Sequence, residues 1–130
     1  MFTINQIKAA HSKVKSGADF PAYIQELKAL GVTRYEYLVP NGDTEYYGAA
    51  HNISSGQRYA TLPIAGKVDS VQFLADLKAH QQGKTDFSTF CDDCAKSGVT
   101  KWIVSIQDMT CTYIDGNGKT VLAEQIPSWI

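Results

Sequence analysis

Gly31-Val-Thr-Arg-Tyr-Glu-Tyr-Leu-Val39 is the stretch at which a helical pattern of apolar residues changes to the alternation of a β-strand. Aromatic and β-branched side chains are frequent in it, which favours a half-buried strand. Gly31 suits the left-handed position that ends a helix. Asn41-Gly42 then predicts a tight turn before a second strand at 44–47. This region therefore predicts the end of a helix followed by a β-hairpin.

Two amphipathic helices precede the hairpin. Thr3 and Gln6 have the form of a capping box, and the apolar residues that follow recur at helical spacing until Gly17. Asp19 predicts the cap of a second helix that runs to Gly31. After the hairpin, residues 48–57 predict a polar loop and residues 58–64 a short strand.

The same order of elements then begins again. We predict a helix from Ser70 to Gly83 that buries Val71, Leu74 and Leu77, and another that starts at a cap on Asp86 and ends at Gly98. Alternating patterns predict three further strands at 99–106, 109–114 and 119–126.

A shift of 67 positions places residues 3–47 on residues 70–114 without a gap. Six of these 45 aligned positions are identical, and most of them cluster at two helix boundaries. The identical residues are Asp19-Phe20 and Asp86-Phe87, Gly31-Val32-Thr33 and Gly98-Val99-Thr100, and Tyr46 and Tyr113. This self-similarity indicates a tandem duplication.

We therefore predict an α+β fold in a single domain over residues 1–130, built from pseudo-repeats 1–66 and 67–130. Each repeat has the order ααβββ, and neither could cover its apolar faces alone. Joined about a two-fold axis, the repeats would place four helices on about six mainly antiparallel strands. Strands and helices do not alternate singly, so a parallel βαβ sheet is not favoured.

Composition excludes several classes of function. The 130 residues have a net charge of −1 and no basic stripe, which argues against nucleic-acid binding. No apolar run has the length of a membrane span, and the first residues lack the pattern of a secretory signal. Three cysteines are an odd number, which favours reduced thiols. We expect a cytoplasmic protein without a cofactor and with no nucleic-acid or membrane partner.

Cys91-Asp-Asp-Cys94 is the most chemically suggestive motif. Two thiolates at this spacing could bind zinc or form a redox pair, with Cys111 as a third ligand and His80 as a conceivable fourth. A metal- or thiol-dependent protein is therefore the alternative hypothesis.

The repeat argues for a simpler role of the motif. Cys91 and Cys94 align with Ile24 and Leu27, within the apolar stripe of a helix. Both cysteines come well after the cap at Asp86, so the helix N-terminus would not lower their pKa. We expect them to pack in the core as small hydrophobic residues, with no metal bound.

The clearest difference between the halves is the loop at 48–57, which has only a compact turn as its counterpart. Polar loops beside a rigid strand often form ligand sites. We predict a ligand-binding site formed by Tyr46, Tyr47, His51, Asn52 and Arg58. No nucleophile elbow or converging carboxylate pair accompanies these residues, so no catalytic set is predicted.

Several segments together resemble a family of short bacterial proteins of unknown function, sometimes labelled phage-envelope-like. The resemblance covers almost the whole chain and rests on Phe2-Thr3, the segment 10–25, Lys78-Ala-His-Gln-Gln-Gly83, Phe90-Cys-Asp-Asp-Cys-Ala95 and Met109-Thr-Cys-Thr-Tyr113. It implies no catalytic residues, and the sequence lacks the repeated apolar surface expected of a coat component. The leading hypothesis is a module that binds a small molecule or a protein, and a homodimer is plausible through exposed strand edges.

Overall fold

The computed structural model describes residues 2–14 and 19–126, and the elements of these two ranges form an α+β fold with one antiparallel sheet. The elements are α1 Ile4–His11, α2 Phe20–Leu30, β1 Arg34–Leu38, β2 Thr44–Tyr47, β3 Asn52–Ser54, α3 Ser70–Gln81, α4 Phe87–Lys96, β4 Val99–Ser105, β5 Thr110–Asp115 and β6 Thr120–Gln125. The predicted class and arrangement, four helices on six strands, are confirmed.

The first strands of the two halves meet at the centre of the sheet. The strand order is β3-β2-β1-β4-β5-β6, and β1 pairs with β4 in antiparallel orientation. Glu36 lies opposite Ile103 at the middle of this pairing. These two residues are 67 positions apart, so each half contributes the equivalent residue.

The hydrogen bonds around this centre are arranged symmetrically. The Val39 amide donates to the Thr100 carbonyl at 2.9 Å, and the Ile106 amide donates to the Thr33 carbonyl at 2.8 Å. Both donors and both acceptors are 67 positions apart, so a two-fold axis would exchange the two bonds. This geometry is what two related halves would produce, while duplication of the sequence itself stays a prediction.

Local signals in the sequence set the helix ends. Thr3 and Gln6 form the predicted capping box at the start of α1. The Asp86 side chain accepts a hydrogen bond from the Thr89 amide at 2.8 Å and caps α4. Gly31 adopts a left-handed φ of 95° after α2. The prediction that the first helix runs to Gly17 is wrong, because α1 ends at His11, and Gly17 itself lies outside the described residues.

All four helices cover one face of the sheet. Tyr35 and Tyr37 on β1 point to this face, where Tyr35 meets Tyr23 of α2 and Tyr37 meets Phe87 of α4. The buried residues form one continuous hydrophobic cluster that includes both halves. The two helix pairs therefore share a single interior.

The first half departs from the predicted strands. Residues 58–64, predicted as a strand, have no regular structure, and β3 lies at Asn52–Ser54 inside the predicted loop. Ile53 pairs with Tyr46 on β2 and packs against the core, which explains the position of the strand. Pro63 has no amide to donate to a sheet, so the later segment is poorly suited to pairing.

The third helix exposes part of the stripe that we expected to be buried. Val71 is 80% exposed and Leu74 is 49% exposed, whereas Phe73 and Leu77 are buried. The prediction for Val71 and Leu74 is wrong because the large ring of Phe73 packs against Phe90 and Tyr113, which fixes the rotation of the helix. In the ranges that the structure describes, no helix has the length and hydropathy needed to cross a membrane.

Two glycines at equivalent positions after α2 and α4 allow a comparison that tests how closely the chain packs at residue 98. Gly31 and Gly98 both have positive φ, but only a Cβ at Gly98 would lie close to another backbone, 2.7 Å from the Lys67 carbonyl oxygen. We expect Gly31→Ala to lower the free energy of unfolding by about 1–2 kcal/mol, from left-handed strain alone. Gly98→Ala should lower it by about 2 kcal/mol more, because the backbone must also move.

Urea unfolding of both variants measures this difference directly. Equal losses at the two positions would contradict the close contact between residue 98 and the segment before α3.

Candidate functional site

A cavity of about 110 Å³ lies between the sheet and the helices, and we call it the inner cavity. Its floor is formed by the inward side chains of four strands, namely Tyr35, Tyr37, Thr44, Tyr46, Trp102, Cys111 and Tyr113. Because strand side chains alternate between the two faces, these residues all point toward the helices. The floor is therefore largely aromatic.

The helices and two irregular segments complete the walls of the inner cavity. They contribute His11, Val14, Phe20, Tyr23, Leu77, His80, Gln81, Phe87 and Phe90 from the helical layer, and Arg58, Glu124, Gln125 and Ile126 at the periphery. Many of these residues form pairs separated by 67 positions, such as Phe20 with Phe87 and Arg58 with Gln125. The inner cavity thus lies where the two halves meet.

Aromatic contacts make the floor rigid. Tyr37 and Trp102 are direct partners across the β1–β4 pairing, and their rings stack at 4.3 Å with an interplanar angle of 11°. Phe87 meets the Tyr37 ring edge-on at 5.3 Å. Each such pair contributes about 0.5–1.5 kcal/mol beyond the burial of its area. These rings therefore form a preorganised surface for a flat apolar group.

Tyrosine hydroxyls supply polar atoms within this apolar surface. The Tyr23 and Tyr46 hydroxyls share a hydrogen bond of 3.2 Å, and Tyr37 donates to Tyr59 at 3.3 Å. Burial raises the pKa of Tyr23, Tyr37 and Tyr46 above the usual value. These phenols stay protonated at neutral pH and can donate or accept hydrogen bonds.

His11 and Arg58 form the most polar part of the wall. An Arg58 guanidinium nitrogen lies 3.2 Å from His11 Nδ1. A guanidinium can only donate, so Nδ1 is the acceptor and His11 is neutral with its proton on Nε2. Burial and the Arg58 charge lower the pKa of His11 from 6.5 to about 4, which agrees with this arrangement. The positive charge of the pair therefore resides on Arg58.

A second cavity of about 280 Å³ adjoins this pair, and we call it the outer groove. It is lined by Ile4, Ile7, Lys8, His11, Tyr46, Ser55, Gln57 and Arg58. His11, Tyr46 and Arg58 line both cavities. The two cavities are therefore adjacent, with the His11–Arg58 pair between them.

The structure separates the five residues predicted to bind a ligand. Tyr46 and Arg58 line the inner cavity, but Tyr47 is the next residue on β2 and points to the opposite face, where the Arg34 guanidinium lies 4.0 Å from its ring. The Asn52 side-chain amide donates to Glu45 at 2.6 Å.

His51 Nε2 donates to the Phe2 carbonyl at 3.0 Å, and the two rings are 4.6 Å apart. His51 lines neither cavity and anchors the N-terminal segment instead. Only Tyr46 and Arg58 of the predicted set therefore lie together at the candidate site.

The cysteines do not form the alternative metal site. Cys91, Cys94 and Cys111 are all buried with free thiols, as the core-packing interpretation predicted. Across the described ranges, no group of three or more His, Cys, Asp or Glu side chains is placed to hold a metal ion. Cys91 Sγ is instead 3.3 Å from the Tyr37 hydroxyl, a contact that occupies the thiol within the core.

His80 is also engaged elsewhere. Its ring stacks on Phe90 at 4.4 Å, and Nδ1 donates to the Thr85 carbonyl at 3.2 Å. The hypothesis of a metal site formed by the cysteines and His80 is therefore wrong. Burial also raises the pKa of Cys91 and Cys94, and raises that of Cys111 to about 12, so none of the three is an activated nucleophile.

Sequence reasoning missed most of the cavity wall. His11 and Trp102 were not among the residues predicted to form a site. The 67-residue spacing could have indicated the site, because Tyr46 and Arg58 align with Tyr113 and Gln125 across the axis. The prediction instead centred on the loop at 48–57 and therefore included residues of the first half only.

This geometry defines an α+β protein with a preformed cavity between a six-stranded antiparallel sheet and its helices. The model of one family, described as a protein of unknown function (DUF1398), matches residues 8–125, and the chain belongs to that family. The resemblance to an uncharacterised family is confirmed, while the phage-envelope-like label stays a prediction. No curated protein matches the chain.

The lowered pKa of His11 predicts a dependence of stability on pH. The unfolded chain binds a proton at His11 near pH 6.5 and the folded chain only near pH 4. The contribution of the neutral His11 side chain to the free energy of unfolding is therefore complete above pH 6.5 and is lost as the pH falls toward 4. We expect this loss to be about 1–2 kcal/mol smaller in His11→Gln, after allowance for the solvent-exposed part of the ring.

Urea unfolding of wild type and His11→Gln between pH 4 and 7.5 tests this expectation. His80, whose pKa is also lowered by burial, is present in both proteins and cancels in the difference. Parallel stability curves would show that Arg58 and burial do not hold His11 neutral.

Burial of the three thiols predicts slow modification. We expect Ellman's reagent to modify less than one thiol per native molecule on the scale of minutes and all three in denaturant. The modification rate should rise with urea as the chain unfolds. A thiol that reacts at once in the native protein would contradict the buried placement of the cysteines.

Proposed function

We propose that the protein binds a small molecule in the inner cavity, with an apolar group of about the size of one ring between Trp102 and the helices. The observation that supports this most directly is a cavity of about 110 Å³ within an aromatic wall, at the junction of the two halves. An engineered apolar cavity of about 150 Å³ binds benzene, so the inner cavity has the scale of a compact ring or a short branched alkyl group.

The cost of the cavity supports a functional role. Protein interiors pack densely and contain few voids larger than a water molecule. Apolar side chains around this space have no partner atoms on one side and forgo the dispersion contacts that close packing would give them. A ligand that fills it would recover contacts that the chain itself does not make.

Polar groups around the cavity could fix the orientation of a bound ligand. Arg58, the neutral His11 and the Tyr46 hydroxyl converge on its edge, and ligand sites typically combine an apolar wall with a few placed polar atoms. Because these donors belong to different elements, a bound molecule would be held from several directions.

Binding of a protein partner has weaker support. Val68, Val71 and Leu74 are exposed near and along α3. Three side chains provide much less than the 800 Å² or so per partner that a specific interface usually needs. We therefore favour a small ligand over a protein partner.

We also infer a cytoplasmic location from the three free thiols. We keep the homodimer as a further proposal.

Filling the cavity should abolish binding. Thr44 lies on the floor of the inner cavity, so Leu at this position would occupy part of its space. Saturating toluene should raise the melting temperature of wild type by about 3–6 °C and leave Thr44→Leu unchanged.

Thr112→Leu is the matched control, because Thr112 lies next to Cys111 on β5 and points to the opposite face of the sheet. It should respond to toluene like wild type. Binding can also be followed by fluorescence of Trp102 in a Trp129→Phe background, which leaves a single tryptophan beside the cavity. No response of wild type to toluene, or an equal response of Thr44→Leu, would overturn the proposed site.

A further inference from the structure

The outer groove is positively charged. Lys8 of α1 and Arg58 both line it, together with the polar side chains of Ser55 and Gln57. No Asp or Glu side chain is among its lining residues. Two cations around one space, with no carboxylate among the lining residues, favour an anion.

Arg58 also has unused donor capacity. One of its guanidinium nitrogens donates to His11 Nδ1, and within residues 2–14 and 19–126 no carboxylate lies within ion-pair distance of it. A guanidinium has five N–H donors arranged as a fork that matches a carboxylate. The contact with His11 orients this fork between the two cavities and leaves other N–H groups for a ligand.

The inner cavity and the outer groove differ in chemistry but share part of their walls. The first is aromatic and the second is cationic, and Tyr46, His11 and Arg58 belong to both. The carboxylate of Glu124 lies on the inner cavity and accepts a hydrogen bond from Gln81 at 3.0 Å, away from the groove. A molecule that spans the two cavities therefore needs an apolar end and an acidic end.

We propose that the ligand is a small amphiphilic carboxylic acid, with its ring or short alkyl group in the inner cavity and its carboxylate bound by Arg58 and Lys8 in the outer groove. This inference rests on the proposed function, because it assigns the chemical class of the same ligand. His11 acts as a positioning residue that holds the Arg58 guanidinium. The limited volume of the inner cavity restricts the apolar part to about one ring.

Hydrocinnamate is a suitable probe, since a two-carbon spacer separates its ring from its carboxylate. By calorimetry at neutral pH, wild type should bind hydrocinnamate at least tenfold more tightly than the neutral isostere hydrocinnamamide. Arg58→Gln should weaken hydrocinnamate binding by about ten- to a hundredfold, the range for a charge-assisted hydrogen bond. The same variant should lose much less affinity for toluene, because toluene carries no charge for Arg58 to bind, so the difference between the two losses measures the contact with the carboxylate.

Lys119→Gln is the charge-matched control, because it removes one cation from the exposed β5–β6 turn. It should bind hydrocinnamate like wild type, and Arg58→Lys should restore part of the lost affinity. The melting temperature of each variant without ligand shows that its fold is retained. Raised ionic strength should weaken binding of the acid more than binding of toluene.

The outcomes separate this inference from the proposed function. Binding of toluene with equal affinity for acid and amide would overturn the acidic ligand and leave the inner cavity as a binding site. If neither toluene nor hydrocinnamate binds, both the proposed binding site in the inner cavity and the acidic ligand are overturned. If acetate or inorganic phosphate binds as tightly as hydrocinnamate, the groove is an anion site only, and the amphiphilic ligand is wrong.

Discussion

The antiparallel pairing of β1 with β4 is the constraint on which the remainder of the structure depends. It joins the first strand of each half and places Glu36 opposite Ile103, so the sheet continues outward in the same order on both sides. Alone, the two halves would expose β1 and β4 as open edges. The central pairing covers these two inner edges at once and leaves β3 and β6 as the edges of the sheet. Because the two helix pairs then lie on the same face, they must share one interior.

That shared interior also explains why a cavity forms where it does. The helices of each half pack mainly with their own partner and with the sheet, and α1 contacts α2 as α3 contacts α4. The space between the two pairs is filled by rings from both halves rather than by a further element. Large planar side chains such as Tyr37, Phe87 and Trp102 leave a gap with rigid walls, since they cannot collapse as flexible side chains can.

Much of the fold could be predicted from local signals. The capping box at Thr3 and the cap at Asp86 are interactions between residues close in sequence, so their pattern is visible without the structure. The strand at Asn52–Ser54 was missed because it depends on pairing with β2, which overrides the polar character of the segment. The rotation of α3 was missed for a similar reason, because spacing alone does not show that Phe73 outweighs Val71 and Leu74. The candidate site was predicted only in part, since Tyr46 and Arg58 meet His11 through tertiary contacts.

We propose the junction of the two halves as a ligand site with an aromatic interior and a cationic edge. Intermolecular nuclear Overhauser effects in the complex with hydrocinnamate test it most directly. We expect contacts from the ring protons of the ligand to the Trp102 and Phe87 rings, and contacts from the methylene next to the carboxylate to the Arg58 side chain. Contacts confined to the exposed side chains of Val71 and Leu74 would contradict it.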